Sequence, residues 1–228
     1  MHIAIIPARL NSKRIKKKNI KLFHKKPIIY YPIKEALKSQ LFDKVYVTTD
    51  DIKIAKIAKK IGAEIPFIRK KEFSGDKVTT IEVIQDAIKK IEIENEVNSV
   101  CCIYPTSCFV KARDLINSFK LFKKNSKSFI ISATNYNHPP QRAFSFKNKF
   151  LKKFTKVSSK KNTQNYKLLY HDAGQFYWGS KKKWLKSDNF FEKNTKAYIF
   201  DNNKVQDIDT IADWKIAELK FRNLNEKK

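Results

Sequence analysis

The chain has 228 residues, 42% of them hydrophobic, which is enough for one domain with a packed core and no need of disulfide or metal staples. No stretch approaches the roughly 20 apolar residues of a membrane-spanning helix, and the first apolar stretch is too short for a signal peptide. Cys101, Cys102 and Cys108 are odd in number and closely spaced, which favours reduced thiols over a disulfide framework. We therefore expect a cytoplasmic protein that does not bind a membrane.

The formal net charge of +27 at pH 7 first points to a nucleic acid partner. The lysines, however, are scattered as pairs and triplets, such as Lys59-Lys60 and Lys181-Lys182-Lys183, and no RNP, KH, helix-turn-helix or zinc-finger pattern accompanies them. Together with abundant Ile, Asn and Phe, this spread indicates drift towards AT-rich codons. We expect no nucleic acid partner; a basic binding module remains the non-enzymatic alternative, and it predicts a steep salt dependence of binding.

Up to residue 133 short apolar segments alternate with segments of helical periodicity, the pattern of an α/β fold with a mostly parallel sheet. The predicted strands are residues 3–6, 45–47, 65–68, 100–104 and 129–133. The predicted helices repeat apolar residues at i, i+3, i+4 and i+7 and cover residues 28–41, 51–61, 81–91 and the region of Leu115, Phe119 and Phe122. Asp50 or Asp51 is expected to cap the second helix, and Gly62 to end it.

From residue 135 to about residue 196 the periodicity is lost and aromatic residues alternate with lysines. We expect hairpins or an arm here, inserted into a single domain over residues 1–228 and serving dimerisation. Within it, His171–Gly179 contains two of the chain's four glycines, which indicates close approach of a ligand, a strained turn, or a hairpin with its aromatic face in the core. His171 is a candidate general base. Regularity returns at residues 197–200, and a helix follows near the C-terminus.

The first strand leads into a loop that carries Arg9, Ser12, Lys13 and Lys18. This loop contains neither a GxGxxG fingerprint nor a Walker lysine-serine pair, so the usual dinucleotide and P-loop motifs are absent. Its cations and hydroxyl group are nevertheless suited to surround a triphosphate. The sequence therefore predicts nucleotide chemistry at the end of the first strand.

Asp207 and Asp209 are separated by one residue on a predicted strand end, so their side chains should leave the strand on the same side. Two carboxylates on one face form part of a Mg²⁺ site, which substrate phosphates and water complete. The same segment also has a structural interpretation, because Asp209 or Thr210 can cap the last helix with Asp213 completing a capping box. Both roles can coexist.

Two further features are weak on their own. Thr106, in Pro105-Thr106-Ser107, follows a strand at the sheet edge where open α/β folds bind ligands. Arg142, after two prolines, is either a bidentate clamp for a carboxylate or a solvated arginine.

The opening motif Pro7-Ala8-Arg9-x-Asn11-Ser12-Lys13-Arg14-Ile15, followed by Lys18-Asn19, resembles that of the acylneuraminate cytidylyltransferases, the CMP-sialic acid synthetase family. Segments 42–50, 62–69, 104–107 and 206–213 resemble the family in the same order, over nearly the whole chain. Segments 101–106, 171–179 and 205–210 are most similar to its pseudaminic acid branch. Arg14 stands where sialic acid enzymes carry glycine, and Tyr104 where they tend to have glutamine.

The resemblance implies a Rossmann-like fold of the nucleotide-diphospho-sugar transferase type, a homodimer that exchanges the arm, and Mg²⁺-dependent transfer of CMP from CTP to a nine-carbon 2-keto sugar acid. Carried over by position, the triphosphate is held by Arg9, Asn11, Ser12, Lys13, Lys18 and Asn19, while Arg69 and Thr80 lie near cytosine and ribose. The sugar pocket is lined by Tyr104, Thr106, Gln141, Arg142, His171 and Gln175. Asp207 and Asp209 bind the metal and, with Lys13, are the expected catalytic residues.

The implied reaction is in-line attack of the sugar's anomeric hydroxyl on the α-phosphate, with pyrophosphate leaving. Pseudaminic acid is the expected acceptor, and N-acetylneuraminic and legionaminic acids are the alternatives. A metal-dependent glycosyltransferase is the other enzymatic alternative. Such enzymes also use an Asp-x-Asp motif, although theirs normally follows a strand in the middle of the chain.

Overall fold

The computed structural model describes residues 1–93, 96–153 and 166–226, and its centre is a six-stranded sheet with helices on both faces. The sheet strands, numbered in chain order together with two short pairs, are β1 (His2–Pro7), β4 (Lys44–Thr48), β5 (Ser99–Ile103), β6 (Ile130–Asn135), β9 (Tyr170–Ser180) and β10 (Lys196–Phe200). The short antiparallel pairs are β2 (Leu22–Phe23) with β3 (Lys26–Pro27), and β7 (Phe144–Lys147) with β8 (Phe150–Lys153). The helices are α1 (Tyr30–Ser39), α2 (Ile52–Ile61), α3 (Thr80–Ile91), α4 (Ala112–Lys124), α5 (Lys181–Lys186) and α6 (Ile211–Glu226).

The strands lie in the order β10-β6-β9-β5-β1-β4. Neighbours are parallel except where β9 pairs with β5 and β6, so the sheet is mostly parallel as predicted. From β1 the chain continues to β4 on one side and later to β5 on the other. Strand β1 is therefore the switch point of the sheet, and open α/β sheets bind ligands at the carboxyl ends of the strands beside such a point.

Alternation along the strands builds two cores, one on each face of the sheet. In β1, Ala4 and Ile6 face the layer of α1, α2 and α4, whereas Ile3 and Ile5 face the layer of α3 and α5. All four side chains are fully buried, as expected for a central strand covered on both faces. Among the described residues, no helix is long and apolar enough to cross a bilayer.

A third, smaller core lies beside the sheet and joins the beginning of the chain to its end. Ile15, Phe23 and Ile28 pack there with Ile208 and Trp214, the last of these from α6. Each of the five side chains is no more than 3% exposed. The loop after β1 is thereby fixed next to residues 207–209, which lie almost 200 positions away in the sequence.

The predicted helices are present; α1 is two residues shorter than predicted at each end, whereas α3 begins one residue earlier than predicted. Asp51, rather than Asp50, caps α2 by accepting from Ile54 N at 2.9 Å, and Gly62 ends that helix in the left-handed region at φ 115°. The residue before Pro32 is helical, so this proline stands within the first turn of α1, where its missing N–H group costs nothing.

Two predicted strands are wrong. Residues 65–68 do not form a strand; isolated bridges beside the edge strand β4 join Glu64 to Tyr46 and Ile68 to Thr49. Residues 205–209 have no strand partner either, and Asp207 and Asp209 lie in the irregular connection that enters α6. In both cases the local residue pattern suggested a strand, but a strand forms only where a neighbour supplies a ladder of hydrogen bonds.

The predicted extent of the arm is also wrong in its second part. Strand β9 and helix α5 fall within residues 135–196 but belong to the central domain, because β9 completes the sheet between β5 and β6. Among the described residues of the predicted arm, only the β7–β8 pair forms a sheet of its own, and residues 154–165 lie outside the described residues.

The two glycines of β9 have structural reasons. Gly174 has φ 59° beside the point where the register between β6 and β9 shifts. At Gly179, an added Cβ would meet the Phe129 ring at 2.7 Å and Trp184 Nε1 at 2.9 Å. The hairpin interpretation was therefore right about the buried aromatic face and wrong about the element, which is a central strand.

Candidate active site

A cavity of about 640 Å³ opens at the carboxyl ends of β1 and β5. Three segments and one carboxylate surround it: the loop after β1, the segment between Arg69 and Thr80, residues 104–106 after β5, and Asp209. The cavity therefore lies beside the switch point of the sheet, where the predicted nucleotide-binding loop also lies.

The loop after β1 is held in shape by contacts from other parts of the chain. The side-chain amide of Asn19, which is 5% exposed, donates to the carbonyl oxygen of Arg9 at 2.9 Å. Asp50 Oδ1 accepts from Leu10 N at 3.0 Å. With Ile15 anchored in the third core, the loop is organised before any ligand arrives.

The four cations of this loop that line the cavity are paired with two carboxylates. Arg9 Nη1 lies 3.0 Å from Asp76 Oδ1, and Lys13 Nζ lies 2.5 Å from Asp76 Oδ2. Lys13 and then Arg9 hold the pKa of Asp76 below its usual value. Asp76 was missed by the sequence analysis, because the turn Gly75-Asp76 carries no signal that links it to a loop some 60 residues earlier.

Asp209 pairs with the other two of these cations, Arg14 and Lys18. Its Oδ1 lies 2.8 Å from Arg14 Nη2 and 3.4 Å from Lys18 Nζ. Lys18 Nζ also donates to the carbonyl oxygen of Ile208 at 2.6 Å. The four loop cations that line the cavity thus divide into two pairs, each bound to one carboxylate.

Arg69 adds a buried cation to the wall of the cavity. It is only 4% exposed, its Nε donates to Ser74 Oγ at 3.2 Å, and its backbone N–H donates to Thr49 O at 2.8 Å. Burial lowers the pKa of Arg69, and Asp50 partly offsets this effect. A guanidinium held in this way is suited to recognise an anion or a base edge at a fixed position.

The opposite wall consists of hydroxyl groups. Thr80 Oγ1 lies 2.9 Å from Tyr104 Oη, and Thr106 follows at the end of β5 with 7% of its surface exposed. Burial raises the pKa of Tyr104 to about 12, so the phenol is neutral. Tyr104, Thr106 and Thr80, predicted for the sugar and the nucleoside, therefore line one surface of the cavity.

The carboxylates near the C-terminus are close to each other but differ in position. Asp209 lines the cavity, whereas Asp207 does not and lies within van der Waals distance of the Cβ position of Gly174. Desolvation and then the charge of Asp209 raise the pKa of Asp207, although this side chain retains contact with solvent. The predicted capping box is present: Asp213 Oδ2 accepts from Thr210 N at 2.7 Å.

Besides Asp207, five predicted site residues do not line the cavity. Asn11 is exposed. Gln175 is buried, with Nε2 donating to Ala173 O at 2.7 Å. The remaining three, Gln141, Arg142 and His171, lie at the base of the arm. Gln141 Nε2 donates to Lys167 O at 2.7 Å, Arg142 lies 6.0 Å from the Tyr166 ring centre, and His171 packs on Tyr136.

A basic loop at the switch point of a parallel sheet, with a buried arginine and a carboxylate opposite, defines a nucleotide-dependent transferase of the α/β class. A family model described as "Cytidylyltransferase" matches residues 3–223 of the chain. The chain therefore belongs to the cytidylyltransferase family and is a nucleotidyltransferase. This membership does not favour the glycosyltransferase alternative, and it confirms the resemblance carried by the opening motif.

The chain is 38% identical over 97% of its length to the pseudaminic acid cytidylyltransferase of Campylobacter jejuni subsp. jejuni serotype O:2, and the match covers 96% of that protein. It is 29% identical to the CMP-N,N'-diacetyllegionaminic acid synthase of Legionella pneumophila, with 98% and 97% of the two chains covered. Among solved structures, a CMP:2-keto-3-deoxy-manno-octonic acid synthetase complexed with CTP gives a TM-score of 0.71 at 13% identity, covering 99% of each chain. This last similarity shows the fold alone and confirms the predicted fold class.

Proposed function

We propose that this protein transfers CMP from CTP to a nine-carbon 2-keto sugar acid, with pseudaminic acid as the substrate, and releases pyrophosphate. The observation that carries the proposal is the cavity at β1 and β5, which has cations on one wall and hydroxyl groups on the other. The assignment to pseudaminic acid is supported by similarity, over nearly the full length, to an enzyme of that name. The reaction would take place in the cytoplasm, where the three free, buried cysteines remain reduced.

The cationic wall is suited to the triphosphate of CTP. Arg9, Lys13 and Lys18 carry three positive charges into the cavity, and Ser12 adds a hydroxyl group. These cations now pair with the carboxylates of Asp76 and Asp209. When the triphosphate binds, its anionic oxygens can replace the carboxylate oxygens as their partners. Arg69, fixed by burial, then lies beside the nucleoside, as the family resemblance implies.

Asp207 and Asp209 are suited to hold Mg²⁺. The charge of Asp209 contributes to the raised pKa of Asp207, so the two carboxylates repel each other, and a divalent cation relieves such repulsion. No group of three or more His, Cys, Asp and Glu side chains forms a metal site within the described ranges, so triphosphate oxygens and water would complete the shell. When bound, the cation neutralises phosphate charge and lowers the pKa of a coordinated hydroxyl group.

The chain's own residues position the phosphates for in-line attack. Catalysis of phosphoryl-type transfer rests mainly on position and on neutralising charge in the transition state. Lys13 is the most exposed of the four loop cations that line the cavity, with 79% of its side chain accessible, so it is free to follow the charge that develops on the leaving pyrophosphate. Lys18 is only 19% exposed and serves as a fixed anchor.

The sugar acid would occupy the side of Tyr104 and Thr106. Gln141, Arg142 and His171 were predicted for the same pocket but lie outside the cavity of this chain. We propose that the protein is a homodimer in which the arm brings such residues to the partner's cavity. Support comes from the arm itself, where Phe144, Phe146 and Leu151 are all more than half exposed.

The experiment is pyrophosphate release from CTP and Mg²⁺ with pseudaminic, legionaminic and N-acetylneuraminic acids supplied separately. We expect turnover with pseudaminic acid at a kcat/KM well above that of the other two. Preference for another acid would retain the reaction and reject the proposed acceptor. Absence of turnover with all three, from protein that binds CTP, would reject this substrate class.

A further inference from the structure

One peptide group in the loop after β1 is held at both ends by side chains from other parts of the chain. This group joins Arg9 to Leu10. Its carbonyl oxygen accepts from Asn19 Nδ2 at 2.9 Å, and its N–H donates to Asp50 Oδ1 at 3.0 Å. The carbonyl oxygen and the N–H of a trans peptide group point in opposite directions, so Asn19 and Asp50 hold it from two sides. The peptide plane therefore cannot turn unless both hydrogen bonds break.

Asp50 itself follows β4 between two anchored residues. Thr49 O accepts from Arg69 N at 2.8 Å, and Asp51 caps α2. The backbone N–H of Asp51 also donates to Thr49 Oγ1 at 3.2 Å. Because Asp51 supplies the cap, the carboxylate of Asp50 is left for the loop, and it reaches the loop from a fixed base.

This arrangement gives the Arg9 side chain a defined origin. On the other side of Arg9, Ala8 N donates to Thr48 O at 2.9 Å, so the backbone is fixed both before and after Arg9. Only side-chain torsions remain for the guanidinium, which lines the cavity and lies 3.0 Å from Asp76. A backbone that cannot turn leaves fewer arrangements for the guanidinium to give up when it binds a phosphate.

We propose that Asp50 is a positioning residue: it orients the peptide group after Arg9 and thereby places the Arg9 guanidinium for the triphosphate of CTP. The inference rests on the proposed function and adds to it a residue outside the cavity lining. Small displacements of a group that holds the reacting phosphates are costly, because the transfer depends on position.

The charge of Asp50 is a second route to the cavity that the test must separate. It partly offsets the lowering of the pKa of Arg69, another cation of the cavity wall. Two substitutions distinguish hydrogen-bond geometry from charge. Asp50→Asn keeps an acceptor oxygen at the same distance from the backbone and removes the charge, whereas Asp50→Glu keeps the charge and moves the acceptor by one methylene group.

The experiment is calorimetric titration of CTP into each variant. We expect Asp50→Glu to raise the Kd about tenfold or more, and Asp50→Asn to raise it less than about threefold. The reverse order would overturn the proposal in favour of charge. Asp43→Glu is the matched control, because Asp43 Oδ2 accepts from His2 N at 2.6 Å at the other end of β4, away from the cavity. An equal rise in Asp43→Glu would overturn the proposal in favour of a general loosening of β1 and β4.

A double-mutant cycle with Arg9 tests the route directly. If Asp50 acts through Arg9, Asp50→Glu adds nothing to Arg9→Ala, and the double variant has the Kd of Arg9→Ala alone. A purely structural role of Asp50 predicts additive effects instead, and additive effects would overturn the proposal.

Hydrogen exchange of the Leu10 amide needs neither substrate nor turnover, so it keeps the inference separate from the proposed function. We expect similar exchange rates in wild type and Asp50→Asn, and a rate about tenfold higher or more in Asp50→Glu. Equal rates in all three would overturn the inference. Wild-type protein that gives the expected exchange rates and CTP affinities but no turnover with any sugar acid would reject only the proposed function.

Discussion

Two carboxylates, Asp76 and Asp209, divide the cations of the loop after β1 between them. The two should respond differently when a nucleotide binds. Asp209 is a proposed metal ligand and can remain beside the phosphates, whereas Asp76 has no such role and must release Arg9 and Lys13. Asp76 thus competes with the triphosphate for the same two cations.

Replacing Asp76 by Asn should therefore tighten CTP binding. The variant removes a competing charge next to a highly anionic ligand, and we expect the Kd for CTP to fall about three- to tenfold at low salt, with less effect at high salt. Calorimetric titration of CTP at two salt concentrations measures this. Glu72→Gln is the control, because it makes the same change in net charge on the same segment away from the cavity. Weaker CTP binding with a greater need for Mg²⁺ would show instead that Asp76 is a metal ligand.

Asp207 is expected to lower the free energy of unfolding at neutral pH although it is needed for activity. Its raised pKa means that the ionised carboxylate is less stable in the folded than in the unfolded chain, so the free energy of unfolding falls as pH rises from the ordinary value of 3.8 through the raised pKa. In EDTA at neutral pH, Asp207→Asn should melt slightly higher than wild type, by a few degrees at most because the side chain contacts solvent. This advantage should disappear in acid, where wild-type Asp207 is protonated.

The same variant should lose pyrophosphate release by on the order of a hundredfold or more, even in excess Mg²⁺. Asp201→Asn, a nearby exposed carboxylate outside the cavity, controls for the change in charge. An inactive variant that also melts lower in EDTA at neutral pH would contradict the explanation of the pKa, and an active one would contradict the metal assignment.

At the scale of elements, strand β9 connects the two halves of the sheet and supplies residues to both cores. Phe176 and Trp178 face one layer and Tyr177 the other. Between them and α5, Gly179 lies directly against the rings of Phe129 and Trp184. The strand therefore tolerates no side chain at this position, although its neighbours are among the largest in the protein.

Gly179→Ala should destabilise the fold. The added methyl group would lie 2.7 Å from the Phe129 ring, which is itself fully buried, so we expect a loss of about 1–3 kcal/mol in the free energy of unfolding, measured with denaturant. Gly75→Ala is the matched control, because its nearest neighbour is Val78 at 3.8 Å. A neutral Gly179→Ala would show that Phe129 and Trp184 can repack freely.

At the scale of the whole molecule, the exposed apolar side chains of the arm are the feature that a single chain does not explain. In the β7–β8 pair, Phe146 lies opposite Leu151, and Phe144 lies two residues from Phe146 on the same face. A two-stranded ribbon is marginal in water unless it packs against something. This apolar face therefore supports the proposed packing of the arm on a second copy of the chain.

Phe146→Ser combined with Leu151→Ser should convert the proposed dimer to a monomer in sedimentation velocity experiments. If the arm completes the partner's cavity, the monomer should still bind CTP but should lose most of its sugar-acid turnover. Phe150→Ser is the control, because Phe150 is 79% exposed but lies on the opposite face of the pair. A double variant that remains dimeric, or a wild-type protein that is monomeric, would contradict the role of the arm.

The sequence by itself determined the fold class, most of the helices and the loop after β1, because these depend on periodicity and on residues that are neighbours in the chain. Asp51, Gly62 and the Thr210–Asp213 box are of this kind, since each acts within one helical turn. The motif around Arg9 was also informative in itself, and it led to the family.

Only the tertiary structure decided which residues meet at the cavity. Asp76 pairs with Arg9, and Asp209 with Arg14, across long separations that no local pattern encodes. Strand β9 was assigned to the arm because its neighbours β5 and β6 lie far away in the sequence. A strand and an ion pair both depend on the partner that folding brings, and that partner is fixed by packing of the whole chain.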